Sequence, residues 1–207
     1  MKVSVYNIEG KETARSVTLK KDIFNIEPND HAIYLDVKHH LASKRQGTHK
    51  SQERSDVTGS RRKIRKQKGS GAARVGDIKN PLFRGGGWVF GPRPRKYSFK
   101  LNKKVKRLAR RSALSKMAKQ KNIMILEDFN MEAPSTKSYV DILSNLQQQD
   151  NKTLLVLSDM NRNISLSSRN LKKDKVTNVN SLNTYDVMNA NTLMFVESCI
   201  KEIEKQY

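Results

Sequence analysis

The sequence predicts an α/β fold of three layers, a mainly parallel sheet covered by helices, with one long extended basic loop inserted into it. Three observations carry that expectation. Short apolar runs, IMIL at 123–126, TLLVL at 153–157 and TLMFV at 192–196, alternate with stretches of helical spacing, as parallel strands buried on both faces do. Nine of the ten glycines and three of the five prolines fall between Arg45 and Lys100, where both helical and strand periodicity fail. The charge is localised: Lys44 to Arg111 holds 23 basic and 3 acidic residues, a net +20 of the chain's +21, so the rest is nearly neutral.

In chain order, MKVSVYNI alternates polar and apolar residues as a half-buried strand does, and SVTL near residue 18 reads as a second. After Pro28, Ala32, Ile33, Tyr34, Val37 and Leu41 recur at helical spacing, which predicts a helix from about Asn29 to Lys44 with those residues facing inward. Asn102 is placed to cap a helix running to Gln120, with Val105, Leu108, Ala109, Ala113 and Met117 on one side. IMIL precedes a helix from Thr136 to Gln148, and TLLVL one from Ile164 to Leu171. VTNV at 176–179 precedes a turn of helix at Tyr185 to Met188, and TLMFV the last helix, Glu197 to Lys205. Right-handed crossovers are expected between the parallel strands. The division implied is a globular domain of residues 1–44 and 101–207, with 45–100 as the loop. That loop is too polar to offset its own ordering entropy and is expected to be mobile until it meets a partner.

Function follows from where the charge sits. A charge block this concentrated calls for a polyanion that meets the protein at one place. An anionic membrane would require an amphipathic anchor or a lipid site beside the basic run, and neither is visible. No stretch of eighteen apolar residues occurs, and MKVSVYNIEG breaks its apolar run too early for a signal peptide, so a cytoplasmic protein with no membrane partner is expected. The single cysteine, Cys199, fits a reducing compartment and reads as a small core residue of the last helix.

Enzyme readings find little support. Gly69-Ser70-Gly71-Ala72-Ala73-Arg74 has Arg where a dinucleotide fingerprint needs its last glycine, and no strand precedes it; no P-loop is present. His39, His40 and His49 lack Cys or carboxylate partners at metal-ligand spacing. Glu127 and Asp128 end a strand but read as a solvated loop. No cofactor and no metal are expected. The basic segment offers better chemistry. Arg61, Arg62, Lys63, Arg65, Lys66 and Lys68 are suited to phosphates, and nearby glycines let backbone N–H groups approach the same oxygens. Phe83, Trp88, Phe90, Tyr97 and Phe99 interleave with Arg84, Arg93, Arg95 and Lys96, as stacking on unpaired bases requires. Arg45, Gln46, Thr48, Lys50, Arg74, Lys79, Lys103, Lys104, Arg107, Arg110 and Arg111 complete the candidate RNA contacts. With no recognition helix, zinc finger or basic zipper, an irregular arm suits folded RNA better than a duplex groove. A free RNA-binding regulator or chaperone, and a nucleotide-dependent enzyme with a basic substrate arm, are the alternatives.

Several motifs also carry a family resemblance. Arg45-Gln46-Gly47-Thr48, Gln67-Lys68-Gly69-Ser70-Gly71, Phe83-Arg84-Gly85-Gly86-Gly87, Phe90-Gly91-Pro92 and Asn102-Lys103-Lys104 occur in that order. Glu132-Ala133-Pro134-Ser135-Thr136-Lys137 and Ala190-Asn191-Thr192-Leu193 follow them, so nearly the whole chain resembles the bacterial form of the large-subunit ribosomal protein four family. That resemblance implies a Rossmann-like domain on the outside of the large ribosomal subunit, with a loop threaded through 23S ribosomal RNA to line the peptide exit tunnel. It implies neighbouring large-subunit proteins, including the other tunnel-constriction protein, and the nascent polypeptide as partners. Carried over, Arg62, Lys63, Ile64, Arg65, Lys66, Gln67, Lys68 and Gly69 line the tunnel, Lys68 foremost, within a tip running from Arg62 to Arg74. Members usually show Pro-Trp where this chain has Ile64-Arg65, and Arg where it has Ala72.

Overall fold

The computed structural model describes residues 1–206. By its contacts the chain divides into two compact units, a body of residues 1–41 and 100–207 and an arm of residues 42–99. In the body, β1 (Lys2–Tyr6), β2 (Glu12–Thr18), β3 (Ile123–Leu126), β4 (Thr153–Leu157), β5 (Asp174–Asn178) and β6 (Thr192–Val196) form one sheet. Among the described residues its order is β2-β1-β3-β6-β4-β5. Among the described residues only the β1–β2 hairpin is antiparallel; β1–β3, β3–β6, β6–β4 and β4–β5 run parallel. The architecture is α/β and three-layered, as the alternation of strands and helices predicts.

The apolar runs go where burial demands. β3, β6 and β4 hold the middle of the sheet, and Ile125, Leu154, Val156, Leu193 and Phe195 are at most 1% exposed. Such strands have no polar face to offer water, which is why they read as unbroken apolar runs. β2 at the edge alternates instead and stays largely exposed. Cys199 lies fully buried on α7 (Glu197–Gln206), a core residue as expected. Its Sγ donates to the Val196 carbonyl at 2.9 Å, and burial pushes the thiol up to about 12.

The helices depart from expectation in instructive places. The four-residue α1 (Lys21–Phe24) is too short to show a period, yet it buries Ile23 and sets Phe24 edge-on against Phe195 at 6.3 Å. Its link to α2 (Asp30–Lys44) is held from α3 (Lys103–Lys119). The Ser115 hydroxyl donates to the Ile23 carbonyl and accepts from the Ile26 N–H, and the Ser112 hydroxyl accepts from the Asn29 N–H. Two buried serines in a helix are thereby satisfied.

On α2 the inward face is Ala32, Ile33 and Asp36, whereas Tyr34 and Leu41 are 55% and 46% exposed. Two apolar stripes compete on that helix, 33-37 and 34-41, and the buried one is chosen by α6 (Thr184–Asn189). Thr184 donates to the Asp36 carboxylate at 2.5 Å, and Tyr185 stacks on His40 with ring centres 4.9 Å apart. On α3, Leu108 is 41% exposed, and Asn102 stands at the N-cap without a side-chain cap bond.

Helix ends also shift. α4 (Thr136–Asn145) stops short of Gln148 because Gln147 turns to φ +58°. The N–H groups of Gln147 and Gln148 then close back onto the Ser144 and Leu143 carbonyls, a left-handed cap without the usual glycine signal. α5 (Arg162–Ser168) starts earlier than expected because the Asn161 side chain accepts from the Asn163 and Ile164 N–H groups. Glu127 and Asp128 are not simply solvated: Glu127 pairs with Arg15, and Asp128 accepts from the Ser198 N–H at the start of α7.

Candidate nucleic-acid interface

The arm contains no regular strand or helix beyond the last turn of α2, because its glycines and prolines break every period. Its two limbs nevertheless bind each other. Arg95 N–H donates to the Gly47 carbonyl, Ser51 N–H to Pro92, Trp88 N–H to Gln52 and Ile64 N–H to Gly76, at 2.9–3.1 Å. These partners converge on residue 70, so the chain runs out and returns about Gly69-Ser70-Gly71, where both glycines take positive φ. Near the base, Gly47 has φ +64°, and a Cβ there would lie 2.1 Å from the Arg95 carbonyl oxygen. Only glycine permits that approach.

The arm's three acidic residues each engage a cation. Arg54 pairs with the buried Asp77 at 2.8 Å, Arg93 with Glu53, and Lys50 with Asp56 at 2.8 Å. The Lys50 hydrogen bond holds the Asp56 carboxyl below its usual range, and Asp56 raises the Lys50 ammonium in turn. Of the candidate contacts, then, Lys50 and Arg93 are engaged by carboxylates within the arm itself, and Lys79 is buried in it. Arg54, absent from the sequence-based set, proves to be a brace between limbs; a partner 23 residues away leaves no local signature.

The tip is different. Arg61, Arg62, Arg65, Lys66, Lys68 and Arg74 are exposed and make no ion pair among the described residues, while Lys63 bonds to Gln67. Below the tip, between the limbs, opens a cavity of about 920 Å³. Arg62, Lys63, Arg65, Lys66 and Arg84 ring it, over Val57, Ile64 and Ile78. Cations around an apolar floor suit a phosphate at the rim and a base or sugar inside.

The aromatic residues divide as well. Trp88 and Phe90 are 69% and 99% exposed, an unusual placement for large apolar side chains unless a partner covers them. Tyr97 is held by the arm's own cations, the Arg45 and Arg95 guanidinium carbons lying 3.6 and 4.6 Å from its ring centre. Its hydroxyl meets His49 Nε2 at 3.2 Å. Tyr97 is therefore a platform that orients Arg45 and Arg95 rather than an open stacking face. Gln46, Thr48 and Lys96 are exposed at the base of the arm, as is Arg84 nearer the tip. In the body, Lys103, Lys104 and Arg107 are exposed on α3, and Arg110 and Arg111 are half-buried. Among the described residues no group of His, Cys, Asp and Glu is placed to hold a metal, and no helix is long and apolar enough to cross a membrane.

Comparison with known proteins adds independent information. Residues 17–206 match the model of the Ribosomal protein L4/L1 family. The chain is 56% identical over 205 residues to the large ribosomal subunit protein uL4 of Flavobacterium johnsoniae, covering 99% of this chain and 98% of that protein. It is 58% identical, with the same coverage, to that of Flavobacterium psychrophilum, and 56% identical over 204 residues to that of Bacteroides fragilis.

Proposed function

This chain belongs to the Ribosomal protein L4/L1 family, a structural and non-enzymatic constituent of the large ribosomal subunit, and from that premise we propose that its arm threads 23S ribosomal RNA and lines the peptide exit tunnel. The observation that supports this reading is the division of charge within the arm. Acidic residues neutralise cations in the limbs, where they brace the hairpin, and leave the tip cations exposed.

The arm acts as an assembly clamp. Its cations screen repulsion between RNA segments that must lie side by side, and each phosphate contact releases condensed counterions. Trp88 and Phe90 supply stacking surfaces, and Arg45 and Arg95, pre-set on Tyr97, lose less side-chain freedom when they meet phosphate. The segment from Arg62 to Gly69 lines the tunnel through which the nascent polypeptide passes, its arginines on the phosphates of the wall and Lys68 foremost at the tunnel face. The body anchors the arm beside neighbouring large-subunit proteins in the bacterial cytoplasm.

Limited proteolysis tests the reading, with cuts mapped by mass in the free protein and in purified large subunits. Cleavage between Arg45 and Lys100 in the free protein, with protection in the subunit, is the expected result. Equal protection in both would mean a self-sufficient domain and refute the threading arm.

A further inference from the structure

A groove on the body has a chemistry opposite to the rest of the chain. It lies between the β1–β2 turn, the segment after β3 and α4, with a volume of about 550 Å³, in the range of sites that take a few side chains. Its floor is apolar, formed by Phe129, Met131 and Ile142, which back onto the core, and by Ile8, which is 42% exposed. Glu9, Glu132 and Asp141 line it, and no Lys, Arg or His does. Glu9 shares its charge with Lys11 at 2.8 Å, but Glu132 and Asp141 make no ion pair among the described residues. In a chain of net +21, the charged residues that line this apolar face are, among the described residues, all carboxylates, with Asn130, Ser135, Ser138 and Asn145 as its neutral polar members.

The groove is also built rigidly. Asn145 Nδ2 donates to the Ile8 carbonyl, and Asn163 Nδ2 donates to the Met131 and Glu132 carbonyls at 2.7 and 3.0 Å. Those bonds fix both walls before any partner arrives, which lowers the entropy cost of docking.

We propose that this groove receives an extended Lys/Arg-rich segment of a neighbouring large-subunit protein, one apolar side chain in the groove and its cations on Glu132 and Asp141. RNA is disfavoured there because phosphates would meet Glu132 and Asp141, and the cation at the rim, Lys11, is already paired with Glu9. The proposal rests on the reading that the chain works inside the large subunit, and the test separates the two.

Photo-crosslinking p-benzoylphenylalanine is placed at Ala133, in the groove, and separately at Lys68, at the arm tip, in cells whose only copy is the altered chain. Large subunits are purified, irradiated, and the crosslinked peptides or nucleotides identified by mass. The expected result is a crosslink from position 133 to a Lys/Arg-rich peptide of another subunit protein. Charge reversal by Glu132→Lys with Asp141→Lys should reduce it about fivefold, as loss of complementary rim charge does. The crosslink from position 68 should be unchanged. A crosslink from position 133 to RNA, to a second copy of this chain, to a protein segment without basic residues or to nothing overturns the groove proposal while the position-68 result stands. Absence of the chain from the subunits, or no crosslink from position 68, overturns the ribosomal arm reading and the groove proposal with it.

Discussion

If the arm's tip cations meet phosphates while Lys50, Arg54 and Arg93 in its limbs are held by carboxylates, then substituting the two sets must change the salt dependence of RNA binding unequally. The tip variant is Arg61→Ala, Arg62→Ala and Arg65→Ala, three exposed residues without ion pairs among the described residues. The comparison variant removes one internal pair whole, Lys50→Ala with Asp56→Ala. Each lost phosphate contact flattens the slope of log affinity against log salt by about 0.7–0.9, so the tip variant should flatten it by about 2–3. Extrapolated from molar salt, where the counterion term vanishes, that is a loss on the order of 10²-fold in affinity at a tenth of that salt. The pair variant removes a cation that releases no counterion from RNA, and its slope should match the unaltered protein. Fluorescence anisotropy of the full-length protein with a labelled 23S transcript, over a roughly tenfold range of KCl, reads both. Parallel slopes for the tip variant and the unaltered protein, or equal flattening by the two variants, would refute the division of charge.

Other consequences are simpler to state. Gly87→Ala puts a Cβ 2.3 Å from the Arg54 nitrogen, all of its nearest neighbours being backbone, so it should loosen the limbs at a cost of about 1–3 kcal/mol. Amide exchange at Trp88 should quicken while the body's melting temperature holds. Thr184→Val removes the hydroxyl that serves the buried Asp36 carboxylate and should destabilise the body by about 1–3 kcal/mol in urea unfolding. Lys68→Glu, exposed at the tip, should leave stability within about 0.5 kcal/mol while altering density at the tunnel constriction. For Cys199, desolvation is the main cause that lifts the folded thiol to about 12, so the unfolded chain ionises first as pH rises. Stability should fall above about pH 9, Cys199→Ala should lessen that fall, and alkylation at pH 8 should track global unfolding.

The sequence by itself determined the class of fold, where the basic charge is concentrated and the broad class of partner, because each rests on quantities that add along the chain. Three short β-branched apolar runs between helical stretches favour central strands, and a block of +20 cannot be hidden in a body of this size. Tertiary structure decided which of two apolar stripes on α2 faces inward, since the choice belongs to Thr184 and Tyr185, almost 150 residues away. It decided that Gln147 ends a helix without glycine, and that the four residues of α1 fold at all, held by serines of α3. In the arm, composition marked the cations but could not sort them. Pairing between Arg54 and Asp77, or Arg45 and Tyr97, depends on where the limbs turn, and that turn brings together residues with no shared period. The acidic groove was invisible for the same reason: Ile8, Glu132 and Asp141 lie on three segments that only the folded sheet makes neighbours.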